Sequence, residues 1–215
     1  MSWDTILFDL DGTLTDSGPG IMKAAQYALS TFGITHSWQE LGFFVGPPLV
    51  ESFAQYFPAE TVPHAVDAFR AYYREQGWLD NAPYPGVPEC LQALRENGKR
   101  LYVATSKLEH MAKKVLEHFQ LAAFFDGICG APPDDPEAGK KIHVVRAALQ
   151  QADCRDLRRA VLAGDRSYDV LGGHQAGLAT IGVLYGYGSR EELERAGADA
   201  LAASPEELKT LILAH

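Results

Sequence analysis

Ile6-Leu7-Phe8-Asp9-Leu10-Asp11-Gly12-Thr13-Leu14 is the stretch whose reading decides the fold. Three apolar residues run into an aspartate. A second aspartate follows two positions on, and then a glycine and a threonine. A short apolar run of this kind predicts a buried strand covered on both faces. Asp9 then falls where the strand leaves the sheet, and open α/β sheets bind ligands at the carboxyl ends of their strands. Two carboxylates there, on a turn that glycine lets close tightly, suit a hard divalent cation. They equally suit a division of labour between nucleophile and general acid. A plain strand followed by an Asp/Gly turn accounts for the same nine residues, so the rest of the chain has to decide.

The downstream half repeats the pattern. Leu101–Thr105, Phe125–Cys129, Ala160–Gly164 and Ala179–Val183 read as strands, with Asp199–Ala202 as a last edge strand. Between them lie helical patterns: Met111, Val115, Leu116 and Phe119 on one stripe, then Ile142–Gln150, then Val170–Ala176 closed by Gly177. Ser189–Glu192 and Ser204–Glu207 carry the capping-box spacing that opens a helix. Strand and helix in alternation predict an α/β fold with a doubly wound, parallel-sheet (Rossmann-like) core.

The segment 15–83 differs. Ile21, Ala24, Ala25, Ala28, Leu29 and Phe32 share one helical face, and Gly33 stops that helix. Val62, Val66, Phe69 and Tyr73 form a second stripe, and the stiff Gly46-Pro47-Pro48-Leu49 turn lies between the two. No strand pattern interrupts them. Asn81–Pro88 is the return linker, with Pro88 at a first helical position, and Val87, Leu91 and Leu94 give the next helix its apolar face up to Gly98. The expected organisation is a core of residues 1–14 and 84–215 with an all-helical insertion, 15–83.

Composition narrows the function classes. The 215 residues are 47% hydrophobic and 22% charged, with a formal net charge of −9. That is an ordinary globular balance, and an acidic chain with a pI of about 5.2 is a poor partner for nucleic acid. No apolar run approaches a membrane span, and the amino terminus has neither the basic nor the apolar region of a signal peptide. Cys90, Cys129 and Cys154 are odd in number and far apart, which argues against a disulfide framework or a zinc site. A cytoplasmic protein fits all of this.

Polar chemistry recurs where strands end: Asp9 and Asp11, Thr105-Ser106 beside Lys107, Lys140-Lys141 ahead of a helix, and Gly164-Asp165 through Asp169. Singly, each has an ordinary explanation as a cap, a solvated face or a helix-dipole partner. Together, in this order on successive units of one sheet, they resemble the four motifs of the haloacid dehalogenase superfamily. Asp9-Leu10-Asp11-Gly12-Thr13 matches the first, Thr105 the second, Lys141 the third, and Gly164-Asp165 with Asp169 the fourth. Either of the adjacent Lys140 and Lys141 suits the third motif, and counting back from Val144, Val145, Ala148 and Leu149 favours Lys141. The helical insertion is similar to the superfamily's type-one cap. Tyr84–Val87 and Tyr185–Gly188 resemble its phosphoglycolate-phosphatase-like branch.

The resemblance implies a Mg²⁺-dependent phosphatase acting on a small phosphorylated metabolite, phosphoglycolate or a nucleoside monophosphate among the candidates. It implies Asp9 as nucleophile, forming an aspartyl-phosphate, and Asp11 as acid and then base. Metal would be held by Asp9, the Asp11 carbonyl and Asp165. Asp11, Gly12, Thr105, Ser106 and Lys141 would hold the phosphoryl group, with Asp169 behind them orienting Lys141 or a metal-bound water. The inserted helices would close over the site. Arg70 and Arg74, on one face of the insertion, suit either an anionic substrate group or solvent. Asp11 speaks against carbon–halogen cleavage, which needs no leaving-group acid. A phosphonatase would need a cap lysine, and Lys23 is the one lysine there. A sugar-phosphate mutase or other phosphotransferase uses the same acid–base equipment and stays open, as does a non-catalytic binding protein on the same fold. A monomer and a homodimer are both compatible with the sequence.

Overall fold

The computed structural model describes every residue except Met1, Asp134 and Pro136. It divides into two compact units, Met1–Thr15 with Pro83–His215, and Asp16–Ala82.

The first unit is built on a six-stranded sheet in which every pairing is parallel. The strands are β1 (Thr5–Phe8), β2 (Arg100–Leu108), β3 (Gly127–Ala131), β4 (Ala160–Gly164), β5 (Ala179–Val183) and β6 (Ala200–Ala202), in the spatial order β3-β2-β1-β4-β5-β6. β1 is therefore central, between β2 and β4, and all four of its residues are buried. On one face Leu7, Tyr102 and Leu162 pack with Val144, Val145 and Ala148. The alternate positions Ile6, Phe8, Val103 and Val161 are buried too, and in a strand they point to the opposite face. Both faces are covered, which explains why these strands read as continuous apolar runs.

Most strand and helix positions agree with the sequence reading to within a few residues, and three of the shifted boundaries bear on the site or have a visible cause. β2 continues past Thr105 to Leu108, so Ser106 and Lys107 lie inside the strand. β3 begins at Gly127, because Asp126 turns its carboxylate back onto the Leu101 amide and the Arg95 guanidinium. The helix after β4 starts at Ser167, where the Asp169 carboxylate accepts the Arg166 N–H and closes the first turn. Ser189 and Ser204 do cap their helices, accepting the N–H groups of Glu192 and Glu207.

The second unit is helical throughout its regular structure: Gly18–Thr31, Leu49–Phe53 and Val62–Glu75, with 3₁₀ segments at Trp38–Phe44 and Gly77–Leu79. The stripes read from sequence form its core, with Ile21, Ala24, Ala25, Ala28 and Leu29 buried alongside Val62, Val66, Phe69 and Tyr73, except that Phe32, one residue past the end of its helix, is exposed. Phe53 links the Trp38–Phe44 segment to the Val62–Glu75 helix, its ring centroid 4.8 Å from Phe44 and 6.3 Å from Phe69. Gly20 is needed where it stands, since a Cβ there would lie 1.9 Å from the Gly77 carbonyl oxygen.

Candidate active site

The central strand delivers Asp9 to the carboxyl edge of the sheet, its amide still bonded to Ala163 O at 2.9 Å. The chain then folds back on itself. Thr13, Leu14 and Thr15 N–H groups all converge on the Leu10 carbonyl, and Gly12 takes a φ of +90°. A side chain at Gly12 would also strike Asp165, with Cβ 2.3 Å from Oδ2. Glycine is thus required twice over, by backbone and by space.

Three further elements bring partners to Asp9. Lys141 is the first residue of the helix Lys141–Gln151 and is buried. Its Nζ donates to Asp9 Oδ1 at 2.6 Å and to the Ala104 carbonyl at 3.0 Å, and pairs with Asp169 Oδ1 at 2.7 Å. All three ammonium protons therefore have acceptors. Lys140 instead pairs with Glu137. The lysine and Asp169 reach the strand end because glycines stand opposite them. A Cβ on Gly172 would lie 2.6 Å from Lys141 Cγ, and one on Gly164 2.3 Å from the Asp169 side chain.

Asp165 follows β4 and is wholly buried. Its Oδ2 accepts the Tyr187 N–H at 2.8 Å, and Oδ1 faces the Thr13 hydroxyl at 3.4 Å. The loop that supplies the Tyr187 amide comes this close only because Gly186 and Gly188 lack side chains; a Cβ on Gly188 would lie 1.9 Å from Asp165 O. Thr105 is buried on β2, its hydroxyl accepting the Lys107 N–H at 3.2 Å, and Ser106 beside it is half-buried. Asp11 turns its carboxylate to Lys107, with Nζ 2.9 Å from both oxygens.

The electrostatics are those of a site short of positive charge. One carboxylate oxygen from each of Asp9, Asp165 and Asp169 lies within 4.8 Å of the others. Burial pushes Asp9 up to about 6, against the pull of Lys141 and with help from Asp169. Burial and the carboxylates of Asp169 and Asp9 push Asp165 well above the usual range. Burial works against a charge on Lys141, but Asp169 and Asp9 outweigh it and hold its pKa above that of free lysine. Counting Asp11 and Lys107, four carboxylates face two ammonium groups, an excess of two negative charges. A divalent cation fits that deficit and an all-oxygen donor set. The buried aspartate triad can hold a metal.

The structure thus gathers Asp9, Lys141, Asp165 and Asp169 into one cluster, and brings Gly12 against Asp165. Two contributors had no role in the sequence reading. The Tyr187 amide gave no side-chain signal. Lys107 did give one, standing beside the Thr105-Ser106 pair in the sequence. Lys23, the lysine of the helical unit, pairs with Asp80 at 3.0 Å.

Fold and site together define a class, and comparison with known proteins names it. The family profile for "Haloacid dehalogenase-like hydrolase" matches residues 6–183. The chain belongs to that family, and within it to the phosphatases. It is 37% identical to a 5'-nucleotidase of Pseudomonas aeruginosa, over 90% of this chain and 88% of the relative. It is 38% identical to the tyrosine-protein kinase PtkA of Mycobacterium tuberculosis, over 95% and 70%. It is 33% identical to a phosphoglycolate phosphatase of Caulobacter vibrioides, over 93% and 86%. Among solved structures, that of a predicted phosphatase from Clostridium acetobutylicum superposes with a TM-score of 0.96 at 42% identity, covering 100% of both chains. Among the described residues no helix is long and apolar enough to cross a membrane.

Proposed function

We propose that this phosphatase hydrolyses a small phosphate monoester through an aspartyl-phosphate on Asp9, with Mg²⁺ held by Asp9, the Asp11 carbonyl and Asp165. The observation that carries the reading is the environment of Asp9. Lys141 takes one of its oxygens, and a second carboxylate, Asp11, stands two residues on with a lysine of its own. Bound Mg²⁺ supplies charge neutralisation for the phosphate dianion. The chain's own residues do the rest. An Asp9 oxygen attacks phosphorus and forms the new P–O bond, while the ester P–O bond breaks and its electron pair goes to the leaving oxygen. Asp11, which takes up a proton as the phosphate dianion comes in beside it, gives that oxygen a proton. Water then attacks the aspartyl-phosphate, loses a proton to Asp11, and frees phosphate and Asp9. Thr105, Ser106 and Lys141, with the backbone at Gly12, hold the phosphoryl oxygens as charge develops on them. Asp169 keeps Lys141 aimed at Asp9, and 16–82 serves as the helical cap.

Phosphoglycolate and a nucleoside 5'-monophosphate are the two substrates to try first, each supported by a relative named for acting on that class. The relative named a tyrosine-protein kinase favours a second reading, in which a hydroxyl rather than water accepts the phosphoryl group; a sugar-phosphate mutase is the same chemistry on a small molecule. The test is phosphate release from a panel of phosphoglycolate, nucleoside monophosphates and hexose phosphates, with and without Mg²⁺, alongside Asp9→Asn. Metal-dependent release lost in the variant supports the hydrolase. Phosphoryl movement between sugar positions or onto a tyrosine peptide, without release, supports the transferase. No movement on any substrate would sink catalysis and leave a binding protein.

A further inference from the structure

Lys107 has no part in the four motifs, yet the strand is distorted to deliver it. β2 pairs Ala104 with Cys129 of β3 and next pairs Leu108 with Ala131, so four steps along β2 match two along β3. Such an irregularity gives up ladder bonds and re-aims side chains, and bulges are over-represented at sheet edges and beside active sites. Gly130 makes room for it: a Cβ there would lie 2.7 Å from Lys107 O and 2.5 Å from Glu109 Cα. Within the bulge the Thr105 hydroxyl accepts the Lys107 N–H, and the Lys107 ammonium crosses to Asp11. The resulting pair is largely desolvated, its side chains 8% and 14% exposed, and Nζ is 2.9 Å from each carboxylate oxygen. A pair this buried is weak support for stability, because desolvation offsets most of the attraction. Its geometry, in contrast, is specific. Two hydrogen bonds from one donor fix both the position and the plane of the Asp11 carboxylate. Without them that carboxylate hangs from a turn whose next residue is a positive-φ glycine.

We infer that Lys107 is a positioning residue for Asp11, holding the carboxylate where it meets the leaving oxygen. The inference rests on the phosphatase reading above. Its consequence is a preference in leaving group. An alkoxide is a poor leaving group and depends on a well-placed acid, whereas a nitrophenolate leaves with little help. Lys107 thus tunes the site toward alkyl phosphates.

The experiment compares kcat/KM for glycerol 3-phosphate and p-nitrophenyl phosphate in wild type, Lys107→Met, Lys107→Arg, Asp11→Asn and the Asp11→Asn/Lys107→Met double variant. Lys107→Met is expected to lose about 10- to 100-fold on the alkyl ester and much less on the aryl ester. Lys107→Arg should recover most of that loss. In the Asp11→Asn background Lys107→Met should change neither ester further, because the group it positions is gone. Where Lys107→Met does not fold, Lys107→Gln, which keeps a donor on a shorter stem, is read in the same way. Equal losses on both esters, or a loss that persists in the Asp11→Asn background, would overturn the inference and make Lys107 a direct phosphate ligand. Wild type inactive on both esters and on every ester of the panel above would overturn the phosphatase reading and this inference with it; where wild type turns over a panel ester but not glycerol 3-phosphate, that alkyl ester takes its place in the comparison. A selective alkyl loss in Asp11→Asn but not in Lys107→Met would sink the inference alone.

Discussion

The two ends of the same three strands carry the same residue types in opposite circumstances. At the amino end, Asp4 precedes β1, Arg100 opens β2 and Arg159 precedes β4. Asp4 pairs with Arg159 at 2.7 Å and lies 3.8 Å from Arg100, all three side chains between 34% and 54% exposed. At the carboxyl end, Asp9 and Asp165 follow β1 and β4, both buried, with one lysine shared between Asp9 and Asp169. The amino end sets one carboxylate between two guanidinium groups and is solvated. The carboxyl end is crowded with charge that burial and like-charge neighbours destabilise. Asp199, just ahead of β6, belongs with the first group. Burial is the largest single influence and raises its pKa, but hydrogen bonds from His174 and Thr180 together prevail and leave it lowered, whereas Asp9 and Asp165 are raised. The difference teaches that the two ends of one sheet set an aspartate's surroundings: those ahead of strands are solvated or satisfied by hydrogen bonds, and those after β1 and β4 are buried among like charges.

Four changes would break or sharpen that contrast. Lys141→Met should have the largest effect, because it leaves two buried carboxylates without their cation. A cost of about 3–5 kcal/mol is expected, seen by calorimetry as a fall in Tm of roughly 10 °C, with turnover lost as well. Asp165→Asn should do the reverse to stability. A carboxyl whose folded pKa is raised costs stability above that pKa and not below its unfolded value. In EDTA at pH 7 the variant's Tm should therefore rise by about 2–4 °C. The gain should shrink toward pH 4, while calorimetric Mg²⁺ binding disappears.

At the other end of the sheet, Asp4→Asn should cost no more than about 1 kcal/mol, as exposed pairs do, and leave phosphate release unchanged. Asp199→Asn should be the smallest effect and of opposite pH sense to Asp165→Asn. A lowered folded pKa gives stability present above the unfolded value and lost as pH falls through the folded one. The variant should be slightly less stable than wild type at pH 7. Urea titrations should bring the two together below about pH 4. A large activity loss in Asp4→Asn, or a fall in Tm for Asp165→Asn in EDTA, would remove the contrast.

Much of this was legible in the sequence because it has local causes. The apolar runs before Asp9 and Asp165 are strands because both sheet faces are covered, and the stripe at Val144, Val145, Ala148 and Leu149 sets Lys141 at the head of its helix. Capping serines announced two helix starts. The missed features depend on long-range geometry. The β2 bulge arises from how β2 and β3 register, which period-two alternation does not encode. The Tyr187 amide reaches Asp165 through backbone, where residue identity says only that glycines flank it. Lys107 carries a side-chain signal, but its partner is 96 residues away.

The central claim is that the crowded carboxyl end holds a nucleophile at Asp9. The direct measurement is to quench the protein during turnover of a phosphate ester with Mg²⁺, reduce with borohydride, and map the product by peptide mass spectrometry. An aspartyl-phosphate is reduced to homoserine, so the account predicts homoserine at position 9 and its absence without Mg²⁺. Turnover with no modified residue, or homoserine at position 11, 165 or 169 instead, would contradict it.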